Sequence, residues 1–167
     1  MKNLKKMVIL SNLLAMSIIL SIIEGFYPII PVPSAKIGFA NIVALIVLYM
    51  YGFKEVFLLM ILKVVLVAVL SGKSFSVTFF MGLSGGILSV IIMQVFKKMK
   101  FHIITVSMIG SVFHAVGQLL AAMYFLNTET IYLYLPIMLL TSIPAGILVG
   151  IISQQLLKTE IIRNIMK

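Results

Sequence analysis

The chain contains no cysteine and no aspartate. Without cysteine there is no disulfide framework, no thiolate nucleophile and no thiolate metal site, and nothing marks a redox compartment. Without aspartate, carboxylate chemistry falls to Glu24, Glu55, Glu129 and Glu160, which stand at the ends of four different apolar segments. Paired carboxylates for acid–base work or for a catalytic metal are therefore not available from local sequence. No nucleophile has a plausible base beside it. These absences predict a protein that is not an enzyme and carries no metal and no cofactor.

Long apolar runs fill the space instead. Hydrophobic residues make up 62% of the 167 positions, and the mean hydropathy is +1.24. Six stretches, 7–23, 37–51, 56–70, 75–96, 103–126 and 131–157, are each long enough to cross most or all of a hydrocarbon layer about 30 Å thick. The expected fold is all-α: one integral membrane domain over residues 1–167, built as a six-transmembrane-helix bundle. Met1–Ser21 has the charged-then-apolar look of a secretory signal. It reads instead as an uncleaved first span, because the apolar run continues to Ile23 and five more follow.

The cations fall unevenly between these runs. With a cytoplasmic amino terminus, the inner flanks hold Lys2, Lys5, Lys6, Lys54, Lys97, Lys98, Lys100, Lys158, Arg163 and Lys167. The outer flanks hold only Lys36 and Lys73. Lysine and arginine retained inside orient a membrane protein, so both termini are expected in the cytoplasm and the chain in the cell membrane. In a soluble protein the formal charge of +9 would point to nucleic acid. Here it marks orientation and contact with anionic lipid, and no nucleic-acid partner is expected.

The second and third runs are short, and three prolines, Pro28, Pro31 and Pro33, precede the second. Proline removes backbone donors and forbids regular helix there. Apolar, non-helical backbone is tolerated near a membrane where protein covers it or it lines a cavity. Two readings follow: a lid or pocket wall over the outer face, or a stiff connector at the lipid interface. Small residues recur every four positions at Ser17, Ser21 and Gly25, at Gly82 and Gly86, and at Ser142, Gly146 and Gly150. Such spacing lets helix backbones approach closely. A further pair, Ser11 and Ala15, is open to another subunit.

Polar side chains inside spans are expensive to insert, so each is a functional candidate. Alternating helix direction gathers most of them in one outer layer: Glu24, Lys36, Asn41, Lys63, Lys73, and His114 with Gln118 one turn apart on one face. A polar outer half over an apolar inner half suits a pocket opening outward better than a continuous pore. Lys63, Lys36 and Lys73 are placed to bind an anionic head group, Asn41 and Gln118 to hydrogen-bond it, and Phe26, Tyr27, Phe75 and Phe79 to cover an apolar or ring portion. Each has a plainer alternative. Lys63 snorkels or pairs with Glu24, His114 is a packing histidine bonded through Gln118, Asn41 bridges helices, and Lys36 and Lys73 are interfacial anchors. Ser71-Gly72-Lys73-Ser74 mimics the end of a phosphate-binding loop, but Val67 stands where the motif needs glycine. Any pumping energy must then come from another subunit or an ion gradient.

The run Pro31-Val32-Pro33-Ser34-Ala35-Lys36-Ile37-Gly38-Phe39-Ala40-Asn41-Ile42, then Phe75, Leu83-Ser84-Gly85-Gly86-Ile87-Leu88-Ser89 and His114-Ala115-Val116-Gly117-Gln118, resembles the Gx transporter family, also labelled heptaprenyl diphosphate synthase component I. That family is similar to the substrate-binding S components of energy-coupling factor (ECF) transporters. The resemblance implies six helices with both ends inside and an outward-facing site for a vitamin or similar micronutrient. It also implies docking onto a transmembrane coupling protein and two ATPase subunits. An alanine pair in the first helix of S components meets the coupling protein, and Ser11 and Ala15 are the nearest match here. The synthase label implies another role, in which a chain without the aspartate-rich motifs that hold magnesium and diphosphate serves as an accessory subunit.

The favoured expectation is an S component for a small, anionic and partly apolar compound, with substrate contacts from Lys63, Asn41, Gln118, His114, Lys36, Glu24 and Phe75. The alternative is a membrane anchor for a prenyl-chain enzyme or an electron-transfer assembly. An autonomous channel or carrier ranks last, because the inner half lacks polar groups.

Overall fold

A computed structural model describes residues 2–26, 38–127, 129–160 and 162 of the chain. Lys36 and the three-proline stretch, with its expected lid, lie outside the described residues. Six α-helices follow in order: α1 Lys2–Phe26, α2 Phe39–Met50, α3 Phe53–Leu70, α4 Val77–Lys98, α5 Ile103–Leu126 and α6 Leu135–Lys158, with a 3-10 helix Glu129–Tyr134 before α6. No strand occurs among the described residues.

Four of these helical segments are long and apolar enough to cross a membrane: 3–25, 77–98, 103–126 and 130–158. The other two are the runs expected to be short, and they fall outside that group for different reasons. α2 has 12 residues, about 18 Å of helix. Eight of them are buried, from Ala40 to Leu48. A helix apolar on every side belongs in a core, and α2 is the central post of the bundle. α3 is longer, at 18 residues, but carries Lys54, Glu55 and Lys63.

Helix direction alternates, and three contacts tie one end together. Lys6 of α1 forms an ion pair with Glu55 of α3. Lys97 of α4 donates to the Leu48 carbonyl of α2 at 2.6 Å and lies over the Tyr49 ring, a cation at a helix C-terminus where the dipole favours it. His102, which caps α5, meets Gln154 of α6 at 3.2 Å. Lys5, Lys54, Lys98, Lys100 and Lys158 belong to the same end. At the opposite end the described residues hold only Lys73.

The main core lies toward the lysine-rich end, where Leu45, Val47 and Leu48 of α2 meet Val56, Leu59 and Met60 of α3, Val90 and Met93 of α4, and Val106 of α5. Glycine brings the backbones together there. A Cβ on Gly150 of α6 would sit 2.8 Å from the Ile104 Cα of α5, and one on Gly146 would sit 2.7 Å from the Met108 Cα. Ser107 closes the same seam by donating to the Gly146 carbonyl at 2.7 Å. Ser17 and Ser21 are buried, and Ser17 donates to the Ala40 carbonyl at 3.3 Å. Gly25, grouped with them by spacing, differs: a Cβ added there would meet nothing within 4 Å. It ends α1 beside open space, not a packed neighbour.

The outer sides of the long helices are apolar and exposed: Leu4, Met7, Val8, Met16, Ile19 and Ile23 on α1, and Ile137, Leu140 and Leu148 on α6. Continuous apolar surface of this extent marks a membrane-facing protein.

Candidate functional site

Away from the lysine-rich end the helices part around a cavity of about 630 Å³. Its lining stops near the middle of α3, α5 and α6, at Lys63, Ser111 and Ala145. Of the seven expected site residues, five line it: Glu24, Asn41, Lys63, His114 and Gln118.

Glu24 also has a partner within the protein. Its carboxylate Oε1 accepts from the Phe39 backbone N–H at 2.6 Å, the first amide of α2. An anion at a helix N-terminus satisfies an orphan donor and complements the dipole. The bond joins the end of α1 to the start of α2 through one oxygen of the cavity's one described carboxylate. Gly38 just before it is left-handed, with φ 84, and its carbonyl accepts from Asn41 N–H at 2.8 Å. Asn41 is thereby fixed in the first turn of α2, on the cavity wall.

His114 and Gln118 are set by α4. A Cβ on Gly85 would lie 2.7 Å from the His114 carbonyl and 2.9 Å from Gln118 Cγ, and one on Gly117 would lie 2.8 Å from the Gly85 Cα. The two glycines interlock, and Ser84 adds a bond to the Gly117 carbonyl at 2.9 Å. That close seam presents His114 and Gln118 to the cavity as a rigid pair. No group of three or more potential metal-ligating side chains forms among the described residues.

Ser71-Gly72-Lys73-Ser74, the false phosphate loop, caps α3. Gly72 is left-handed with φ 63, and Lys73 N–H donates to the Ala68 carbonyl at 2.9 Å, the 6→1 bond of a Schellman cap. The cap carries Lys73 to the cavity wall, where it joins Lys63 as a second cation.

Phe75 is a correction. It precedes α4 rather than starting it, because Ser76 is the cap: its Oγ accepts from Phe79 N–H at 3.3 Å and donates to the Lys73 carbonyl at 2.6 Å. With φ 57 and 82% exposure, Phe75 does not line the cavity. Phe79, packed against it at 5.8 Å between ring centroids, takes the wall position.

Sequence reasoning missed Ser111, Thr141 and Ser142, which also line the cavity. Ser111 was legible, one turn before His114 on the face that carries Gln118. Thr141 and Ser142 donate to carbonyls of their own helix, Ile137 at 3.0 Å and Leu139 at 3.1 Å, so they present oxygen lone pairs. Ser11 and Ala15, the expected docking pair, are exposed on α1 and outside the cavity. Lys36 lies outside the described residues.

The arrangement is a concave site of two lysines, a histidine, two amides and several hydroxyls against Val64, Val67, Phe79 and Met138. Cavities of a few hundred cubic ångströms with few placed polar groups are the usual form of small-molecule sites. No curated protein and no solved structure matches the chain. The profile of one protein family does match, over residues 13–156. With that much of its 167 residues covered, the chain belongs to the family described as heptaprenyl diphosphate synthase component I, the one its motifs resemble.

Proposed function

We propose that the chain is the S component of an ECF-type importer, and that its cavity holds a small anionic, partly apolar micronutrient or precursor. The observation that carries the reading is where the cavity ends: its lining reaches Lys63 at mid-bundle, and packed apolar core lies beyond. A conducting pathway needs polar groups at every depth. A pocket closed at one end captures.

The ligand class follows from charge. Lys63 and Lys73 face the cavity, while the Glu24 carboxylate is engaged by α2. Asn41, Gln118 and His114 supply hydrogen bonds, and Phe79 and Val64 an apolar wall. In this reading all six helices span the cell membrane, the lysine-rich end and both termini are cytoplasmic, and the cavity opens outside. Energy comes from partners, a transmembrane coupling protein and two ATPase subunits, with Ser11 and Ala15 on the exposed side of α1 toward the coupling protein.

The family's description supports a second reading, an accessory membrane subunit of a prenyl diphosphate synthase. Affinity purification from native membranes separates the two: a coupling protein and two ATPases support the importer, and a synthase supports the accessory subunit. Mass spectrometry of the small molecule that co-purifies identifies the substrate. If no member of a broad metabolite panel binds, and Lys63→Ala and Gln118→Ala leave uptake unchanged, the site assignment is wrong.

A further inference from the structure

A second concavity lies at the lysine-rich end, between the start of α3 and the last turns of α4. Lys54 and Lys98 line it with Tyr51, Phe53, Gln94 and Val95. Glu55 also borders it, but its carboxylate is paired with Lys6 of α1. The neighbouring Lys97 is committed to the C-terminus of α2 through the Leu48 carbonyl. Lys54 and Lys98 make no hydrogen bond among the described residues and leave the groove cationic.

The groove is graded along α4. Ile91 and Val95 are 40% and 44% exposed. Gln94 stands beside them, and its Oε1 is buried with no hydrogen-bond partner among the described residues. Lys98 follows one turn on, about 10 Å along the axis from Ile91. Aliphatic surface followed by ammonium is the order in which a phospholipid presents its acyl chain and its phosphate. A soluble anion would have no use for the aliphatic part.

From this grading we propose that the α3–α4 groove is a binding site for one anionic phospholipid, with its phosphate at Lys54 and Lys98 and an acyl chain along Ile91 and Val95. Basic pockets between membrane helices recognise lipid head groups in this way. The site is separate from the outer cavity and holds whatever that cavity binds.

The test is native mass spectrometry of the full chain released from nanodiscs of equal phosphatidylglycerol and phosphatidylcholine. The expected result is selective retention of phosphatidylglycerol, lowered roughly fivefold for each lysine removed in K54Q/K98Q. Both lysines are exposed, so the double variant should fold, and its melting temperature in phosphatidylcholine alone checks this. K5Q/K158Q removes equal charge from the same end outside the groove and should retain the lipid. Equal retention of both lipids by the unaltered chain would overturn the proposal. So would a loss in K5Q/K158Q as large as in K54Q/K98Q, which signals a diffuse field. Inorganic phosphate stabilising the delipidated chain as well as phosphatidylglycerol does would reveal a soluble-anion site and overturn it equally.

Discussion

The two halves of the bundle use the same helices and the same small residues to opposite ends. Toward the lysines, Gly150 lets α6 touch the backbone of α5, with only 2.8 Å between its would-be Cβ and the Ile104 Cα. Around the cavity, Gly82 of α4 has just the Val64 Cγ1 at 3.8 Å. Glycine therefore closes the α5–α6 seam at one end and leaves room beside Gly82 at the other, even though Gly85 and Gly117 interlock behind the cavity wall. Small residues at four-residue spacing do not by themselves mean contact; the neighbour decides. Polar groups meet helix carbonyls in both halves, Ser107 and Lys97 toward the lysines and Ser84, Thr141 and Ser142 around the cavity, but only the cavity half sets several polar side chains around one open space.

The largest expected effect belongs to the cavity half. Lys63→Ala should weaken ligand binding about ten- to a hundredfold, the range for losing a charged hydrogen bond, with the melting temperature little changed. Isothermal titration with the co-purifying ligand checks this. Unchanged affinity would remove Lys63 from the site and reduce the cavity to unused space.

Gly150→Ala should do the reverse. Overpacking against backbone that cannot yield destabilises by roughly 1–3 kcal/mol, visible as earlier thermal unfolding in detergent. Gly82→Ala meets only ordinary contact and gains about 0.5–1 kcal/mol of helix preference. If both alanines shifted stability alike, the contrast between a closed and an open half would fail.

Much of that contrast was legible in the sequence, because depth follows from position along an alternating bundle. Lys63, His114, Gln118 and Asn41 could be assigned to one layer without coordinates, and the structure brings them onto one cavity. What sequence could not provide was partner choice. Glu24 is a carboxylate at the right depth, but only the fold shows it turned to the Phe39 amide. Phe75 reads as the start of a span until Ser76 is seen to cap α4. The short second run reads as a weak span, whereas burial of eight of its 12 residues makes α2 the core post. Spacing gives the face of a helix; it does not give what lies opposite.

Glu24 tests whether the boundary between the halves is held by a cap. Glu24→Ala removes the acceptor for Phe39 N–H and should cost about 1 kcal/mol, as other N-cap losses do. Binding should weaken as well, since Asn41 sits in the turn that the bond anchors. Glu24→Gln keeps an acceptor oxygen and should recover most of both. A carboxylate that touched ligand directly would show the opposite pattern in binding, with glutamine as damaging as alanine.

The smallest effect sits at the lysine-rich end. Glu55 lies in the first turn of α3, ahead of the apolar run 56–70, and the hydrogen bond from Lys6 holds its carboxyl below the usual carboxylate range, with burial opposing. A carboxyl lowered by folding adds stability that is fully present above its unfolded value and is lost as pH falls through its folded value. Side-chain exposures of 38% for Lys6 and 22% for Glu55 place the pair in partial solvent, where screening limits it to roughly 0.2–1 kcal/mol. Glu55→Gln should thus lie slightly below the unaltered chain in melting temperature at neutral pH, and the two should converge in acid. Added salt should narrow the neutral-pH gap. A gap that persisted in acid would mean that Glu55 acts through packing, and that the two ends of the bundle differ in charge without that charge contributing to stability.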